Sequence, residues 1–380
     1  MADTKSTKSS TSPEDILVGG QAVIEGVMMR TPRAYAVAVR RLDGSIEVKR
    51  EQVKRISERC RIFSCLIIRG FAVLIQSLVL GIKTLNYSVS VSVEDMEAQE
   101  AAKAEAEAVK AGAPEKEKTK KKKSENNTLP IITSLILGVA FAVLLFILLP
   151  LGLTTLLKAH FDVIENWVVF NLVDGVIRVV IFFAYLLAIS RLKDIQRVFE
   201  YHGAEHKVVH TWEDGVELTV ENARLRSTAH PRCGTSFLMF VMVVSILVFS
   251  LFKFHAFWAI FLSRLILIPV VSGLSYELIR LSAPRCKKGF FRLLVIPGLT
   301  LQRITTNEPS DDQLEVAIRA LHESLELEAT SENPKIKACD RTESGVYTKV
   351  NEHFGEGSNA EFGVFGGCLE GADKSTYAAG

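Results

Sequence analysis

Four long apolar runs between residues 131 and 276 constrain this chain more than any other feature. Ile131–Leu149 has only Thr133 and Ser134 as polar members, and Trp167–Ser190 carries Asn171, Asp174 and Arg178 in its interior. Thr235–Phe252 has no charge, and Ala256–Tyr276 has one, Arg264. A helix that crosses a bilayer needs ~20 mostly apolar residues, and buried helices of soluble proteins are usually shorter. The mean hydropathy is +0.22 although residues 1–15 and 94–128 hold almost no large apolar side chains. An evenly patterned soluble globule is excluded, and so is a wholly disordered chain. The net charge of +2 gives no support to a nucleic-acid partner.

The positions of Lys and Arg order these runs, because basic flanks stay cytoplasmic. Residues 30–61 hold ten Lys/Arg and residues 101–123 hold eight, so the run Ile62–Ile82 between them has both ends on one side. It is expected as an interfacial or re-entrant helix, with Arg69 snorkelling. Residues 158–166 hold one Lys and face out; residues 191–234 hold seven Lys/Arg and face in. After Glu277 the chain is basic again at Arg280, Arg285, Lys287, Lys288 and Arg292. The expectation is a multi-pass protein of the cytoplasmic (inner) membrane, with both termini in the cytoplasm and the lipid bilayer as its partner. No apolar leader segment is read in Met1–Asp15.

The remaining pieces are smaller. Residues 1–15 are expected to be disordered, and residues 16–61 to be cytoplasmic and β-rich. Tyr35–Arg41 and Ser45–Arg50 alternate in polarity around Asp43-Gly44, a hairpin signal. Residues 94–128, rich in Glu, Ala and Lys, are expected as a charged flexible linker. Residues 131–280 form the transmembrane region, with the cytoplasmic loop 191–234 inside it. In the cytoplasmic segment 281–330, Ser310 and Gln313 form a capping-box pattern that opens an amphipathic helix carrying Leu314, Ile318, Leu321 and Leu325 on one stripe. The Gly-rich tail 331–380 has no periodicity and is expected to be disordered. The six cysteines are irregularly spaced without a CxxC, which indicates reduced thiols rather than a disulfide framework.

The chemistry-bearing stretch is Tyr201-His202-Gly203-Ala204-Glu205-His206-Lys207. His202, Glu205 and His206 spell H-x-x-E-H, the inverted zincin pattern. On a helix, residues i and i+4 share a face, so both histidines can point at one divalent metal, expected to be zinc, with Glu205 as general base. A catalytic zinc usually has three protein ligands. Glu277, His230 and Cys233 compete for the remaining place, and the His230/Cys233 pair is favoured because one local turn brings two donors together. His210 cannot join His202 and His206 on one metal, since a straight helix separates it from His202 by ~12 Å of rise. Each motif also has a plain structural reading: Gly203 weakens the helix, Cys233 is a small hydrophobe, and Asp174 with Arg178 is an ion pair inside the bundle.

Three stretches carry a family resemblance. They are Val18–Arg30 (VGGQAVIEGVMMR), Tyr201–Lys207 with His230-Pro231-Arg232-Cys233-Gly234-Thr235-Ser236-Phe237, and Pro297-Gly298-Leu299 through Thr305-Thr306-Asn307-Glu308-Pro309 to Ile318. From about residue 17 to 327 the chain resembles the YqhQ-like family of bacterial membrane proteins, a domain of unknown function described at most as a predicted metal-dependent enzyme. The resemblance implies an integral membrane protein and points to His202, Glu205, His206, His230, Cys233 and Glu25.

The expected fold class is thus a polytopic α-helical membrane protein: four transmembrane helices, one interfacial or re-entrant helix, and a small cytoplasmic α/β part with a β-hairpin. The leading expected function is a metal-dependent, hydrolase-like membrane enzyme with its site at the cytoplasmic face. A non-enzymatic scaffold or assembly factor is the alternative, and a transporter the third.

Overall fold

The computed structural model describes residues 17–53, 66–110, 128–282 and 289–332. The expectations for 1–15, the tail from 333 on and the lysine tract at 120–123 lie outside those residues, as do all cysteines except the buried, unpaired Cys233.

The amino-terminal segment folds as an antiparallel meander of β1 (Gly19–Val23), β2 (Gly26–Arg30), β3 (Ala34–Arg40) and β4 (Ile46–Gln52), in that order. Asp43 and Gly44 make the β3–β4 turn: Gly44 takes φ +86°, and the Asp43 carboxylate accepts from the Ser45 N–H and hydroxyl. Alternation sends the side chains of this sheet to two faces. Val27, Met29 and Ala38 pack on one side with Tyr201, Ala204, Val208, Leu314 and Leu321. Val23, Met28, Val37 and Val39 pack on the other with Leu80 and Val91. The sheet is therefore covered on both faces, and the outer strands β1 and β4 stay half exposed.

The helix over 62–82 does not stop where the sequence suggested. α1 runs unbroken from Leu66 to Lys110, a length of about 67 Å. Nothing after Gly81 breaks it, and the Ala/Glu/Lys-rich stretch from residue 94 has strong helix propensity. What was expected as the start of a flexible linker is helical to Lys110; residues 111–127 lie outside the described set. The first turns of α1 pack beside a later apolar helix, and its middle covers the sheet.

The apolar runs follow. α2 (Thr128–Val143) passes through a wide π-type turn at Leu144–Leu148 into α3 (Leu149–Lys158). α4 (Trp167–Ile189) is capped by the Asn166 side chain, and α5 (Lys193–Glu213) and the short α6 (Val220–Arg224) lead to α7 (Gly234–Ser250) and α8 (Phe257–Ser282). α9 (Gly289–Thr305) and α10 (Asp311–Glu332) close the described chain.

Among the described residues, four helices are long and apolar enough to cross a membrane: Ile68–Lys103 in α1, Thr133–Lys158, α4 and α8. They are not the four that the sequence suggested. α1 joins them, whereas α7 has only 17 residues, about 25 Å against a hydrocarbon core of about 30 Å.

Inside this bundle Asp174 of α4 binds Arg178 at 2.6 Å and Arg264 of α8 at 2.6 Å, and Arg178 also donates to Ser245 of α7. The ion pair read from the i, i+4 spacing is thus one half of a three-helix clamp, because a charge taken out of water must be paired.

α10 opens as the capping box requires: the Gln313 side chain accepts from Ser310 N–H at 2.9 Å. Its apolar stripe packs on the sheet and on α5. α5 is therefore held between the sheet, α10 and the ends of the apolar helices.

Candidate metal centre

α5 carries the motif, and its neighbours fix each side chain. Gly203 faces the loop before α10 so closely that a Cβ there would collide with the Asn307 carbonyl. The glycine that weakens the isolated helix is what lets that loop approach. Lys207, buried beside it, donates to the Arg224 carbonyl at 2.8 Å and pairs with Glu308.

His202, His206 and Cys233 converge, with one ligand atom of each within 4.8 Å of the others. The imidazole tautomers follow from their partners, because a carbonyl can only accept. His202 Nδ1–H donates to Thr305 O at 2.7 Å, and His206 Nδ1–H donates to Thr228 O at 2.5 Å. With Nδ1–H engaged in this way, the Nε2 of each ring is the atom left to face the cluster. His202 Nε2 lies 3.2 Å from Cys233 Sγ, while His206 Nε2, on a residue 1% exposed, has no hydrogen-bond partner. An orphaned buried nitrogen costs stability unless something binds it. Histidine ligands of metals characteristically donate their second N–H to a carbonyl. Zinc–nitrogen and zinc–sulfur distances of ~2.0 and ~2.3 Å put tetrahedral N and S donors about 3.6 Å apart, near the separation seen here. The donor set fits a zinc-like cation.

Cys233 enters as the N-cap of α7, where Thr235 donates to Sγ from its backbone N–H at 3.4 Å, with its hydroxyl at 3.1 Å. Glu205 lies beside the cluster, its carboxylate 3.6 Å from His206 Nε2. It is 6% exposed, and burial pushes its carboxyl above the usual range, opposed in part by His202 and by the Gly20 N–H. Gly20 of β1 is pressed against it: a Cβ there would stand 2.7 Å from Glu205 Cγ and 2.6 Å from Met28 O. The amino-terminal motif thus buttresses the carboxylate. Glu25, which the resemblance pointed to, does not reach the cluster. It sits in the β1–β2 turn at φ 53°, clamped by Arg197.

His230 belongs to a second group, with His210 and Glu213. Its ring is 5.7 Å from that of His206 and 4.6 Å from that of His210. Burial drives the His230 pKa down to about 3 and that of His210 to about 4, with neighbouring imidazoles adding to the effect, so both rings are neutral at pH 7. His230 Nδ1 accepts from Arg232 N–H, its Nε2 faces Glu213 at 3.3 Å, His210 Nε2–H donates to Ala229 O, and Glu213 also pairs with Arg232. With both ring nitrogens of His230 engaged, it braces the Cys233 loop, as does Gln302, which bonds the His230 backbone N–H and carbonyl.

Glu277 is not brought to either group. It accepts from Arg69 of α1 at 2.6 Å and has Arg280 at 3.8 Å. Of the competitors for the third position, Cys233 meets the two histidines, His230 stands behind it, and Glu277 ties α1 to α8. Part of the second group had a signal in the sequence: His210 and Glu213 stand at i and i+3 on one helix face.

A cleft of about 500 Å³ opens onto the cluster. His202, Glu205 and Cys233 line it together with Phe182, Leu186 and Leu238.

The model of the family described as "Protein of unknown function (DUF1385)" matches residues 66–327. A protein of Bacillus subtilis (strain 168) described as "Uncharacterized protein YqhQ" is 34% identical over 318 residues, which cover 83% of this chain and 94% of that relative. No solved structure matches the chain.

Proposed function

The chain belongs to the DUF1385 family of proteins of unknown function, and from that premise we propose that it is a multi-pass membrane protein of the cytoplasmic membrane whose His202, His206 and Cys233 hold a divalent metal, with hydrolase-like chemistry at the cytoplasmic face. The observation that carries the reading is the bare, buried Nε2 of His206 in a cluster whose other donors lie within 4.8 Å. The basic segments 30–61 and 191–234 support a cytoplasmic site, since loops rich in Lys and Arg stay inside. The part of α1 from Leu80 to Asp95 covers the sheet, so only its earlier turns beside α8 are available to the bilayer.

A bound zinc ion would lower the pKa of its water to about 7. Glu205 supplies the proton acceptor: its carboxyl is raised by burial, adjoins the cluster and opens on the cleft. The carbonyls of Thr305 and Thr228 orient the imidazoles, and Gly20 holds the carboxylate in place.

A second reading rests on one contact, His202 Nε2 at 3.2 Å from Cys233 Sγ. A thiol at a helix N-terminus beside an imidazole can act as a nucleophile. Metal analysis of protein purified in zinc-supplemented buffer separates the two. About one equivalent is expected in the wild type and in Glu205→Gln, with loss in His206→Ala and Cys233→Ser. Equal, near-zero metal in all four sinks the metal reading. Full complementation of a deletion strain by Glu205→Gln sinks the hydrolase reading with Glu205 as proton acceptor.

A further inference from the structure

We infer that the cleft over His202 and Cys233 takes the hydrocarbon chain of a membrane lipid, so that the substrate reaches the site from the bilayer rather than from the cytoplasm. This rests on the membrane and metal reading of the same site and adds the substrate class. The cleft is built across two environments. Its lining joins His202 and Glu205 of α5, Cys233 and residues 18–22 of the sheet segment to Phe182, Leu186 and Ile189 of α4 and Leu238 of α7. Ile189 is the last residue of α4, one of the helices long and apolar enough to cross a membrane. Phe182 lies seven residues earlier, so the wall reaches about 10 Å back along that helix. Leu238 stands one turn into α7 and keeps 42% of its surface exposed.

The walls also discriminate among amphiphiles. Val198, Phe199, Leu238 and Leu301 add to a mostly apolar lining, in which Gln21, Arg232, Thr235 and Thr305 also take part. An extended peptide entering there would bring a backbone N–H and C=O at every residue, more than the few polar side chains of so apolar a lining can satisfy. An alkyl chain has none to satisfy. Its head would then meet His202, Glu205 and Cys233, the groups able to do chemistry. A volume of about 500 Å³ is within the range of small-molecule sites, about 300–1,000 Å³.

The test uses the full chain reconstituted in phosphatidylcholine vesicles doped with a phosphatidylglycerol that carries a diazirine in its acyl tail. After irradiation, peptides bearing Phe182–Ile189 and Leu238 should be labelled several-fold more than the exposed face of α2 at Leu137. Leu238→Trp and Ile189→Trp, which fill the cleft without touching a donor, should bring that excess down to the α2 level with metal content unchanged. Even labelling of all lipid-facing helices, or an excess that survives both variants, overturns the inference. So does preferential cleft labelling by a diazirine-bearing hydrophobic peptide over the lipid. Metal measured on the same samples keeps the two readings apart: cleft labelling in protein that never binds metal upholds the lipid site and removes the metal chemistry.

Discussion

His202 Nε2 and Cys233 Sγ lie 3.2 Å apart although 31 residues separate them in the chain. The first sits on α5, in the layer that packs on the sheet; the second caps the apolar helix α7. The candidate site is thus the seam between the β-rich part and the membrane-type bundle, and disturbances on either side should reach it.

Two adjacent glycines test the seam from the sheet side. A Cβ on Gly20 would press on Glu205 and on the Met28 carbonyl, whereas one on Gly19 meets nothing within 4 Å. Gly20→Ala should cost about 1–3 kcal/mol, the usual penalty of overpacking, and should lower activity in complementation. Gly19→Ala should be neutral in both. Equal thermal stability of the two variants in detergent would remove Gly20 from its place behind the carboxylate.

The clamp in the bundle predicts an asymmetry. Asp174 answers two arginines, so Asp174→Asn leaves two buried cations without a counter-charge and should cost about 3–5 kcal/mol. Arg264→Met leaves the Asp174–Arg178 pair intact and should cost clearly less. Thermal melts of the two variants in one detergent decide it, and the opposite ranking would refute the clamp.

Buried neutral histidines give a pH dependence with a definite sign. The unfolded chain takes up protons at His210 and His230 below about pH 6.5. In the folded chain burial holds their pKa values at about 4 and about 3. Their contribution is complete above pH 6.5 and is lost progressively as the pH falls toward 4 and then 3. With chelator present throughout, the melting temperature should fall over that window, and His210→Gln should flatten the fall. An unchanged slope in His210→Gln would show that the ring is charged or exposed in the folded protein.

Topology is tested by chemical access. A cysteine at position 162 should react with a membrane-impermeant maleimide added to intact cells, and one at position 214 should react only after permeabilisation. External labelling at 214 would move the candidate site to the other face of the membrane.

Much of the architecture is legible in local pattern. The apolar runs became α2–α3, α4, α7 and α8, the Asp43-Gly44 turn joins β3 to β4, and Ser310 with Gln313 opens α10. The H-x-x-E-H spacing put His202 and His206 on one face, because a helix repeats every 3.6 residues whatever surrounds it. Residues 94–110 read as linker because their charge and low hydrophobicity resemble those of a disordered stretch. Arg41 meets Asp95 and Tyr87 meets Glu47, contacts that anchor this helix on the sheet.

Sequence by itself determined the apolar helical runs, the Asp43-Gly44 turn, the opening of α10 and the pair of histidines, since each of these depends on neighbours within a few residues. Only the tertiary structure decided which distant group joined that pair. In one dimension Cys233 is favoured with His230 over Glu277 only because one local turn can bring two donors together, and all three compete for the place. In three, Arg69 holds Glu277 against α1, and the His230–Gln302 bonds brace the Cys233 loop beside His202. The distance between side chains on separate elements is set by how those elements pack, and no local periodicity encodes it.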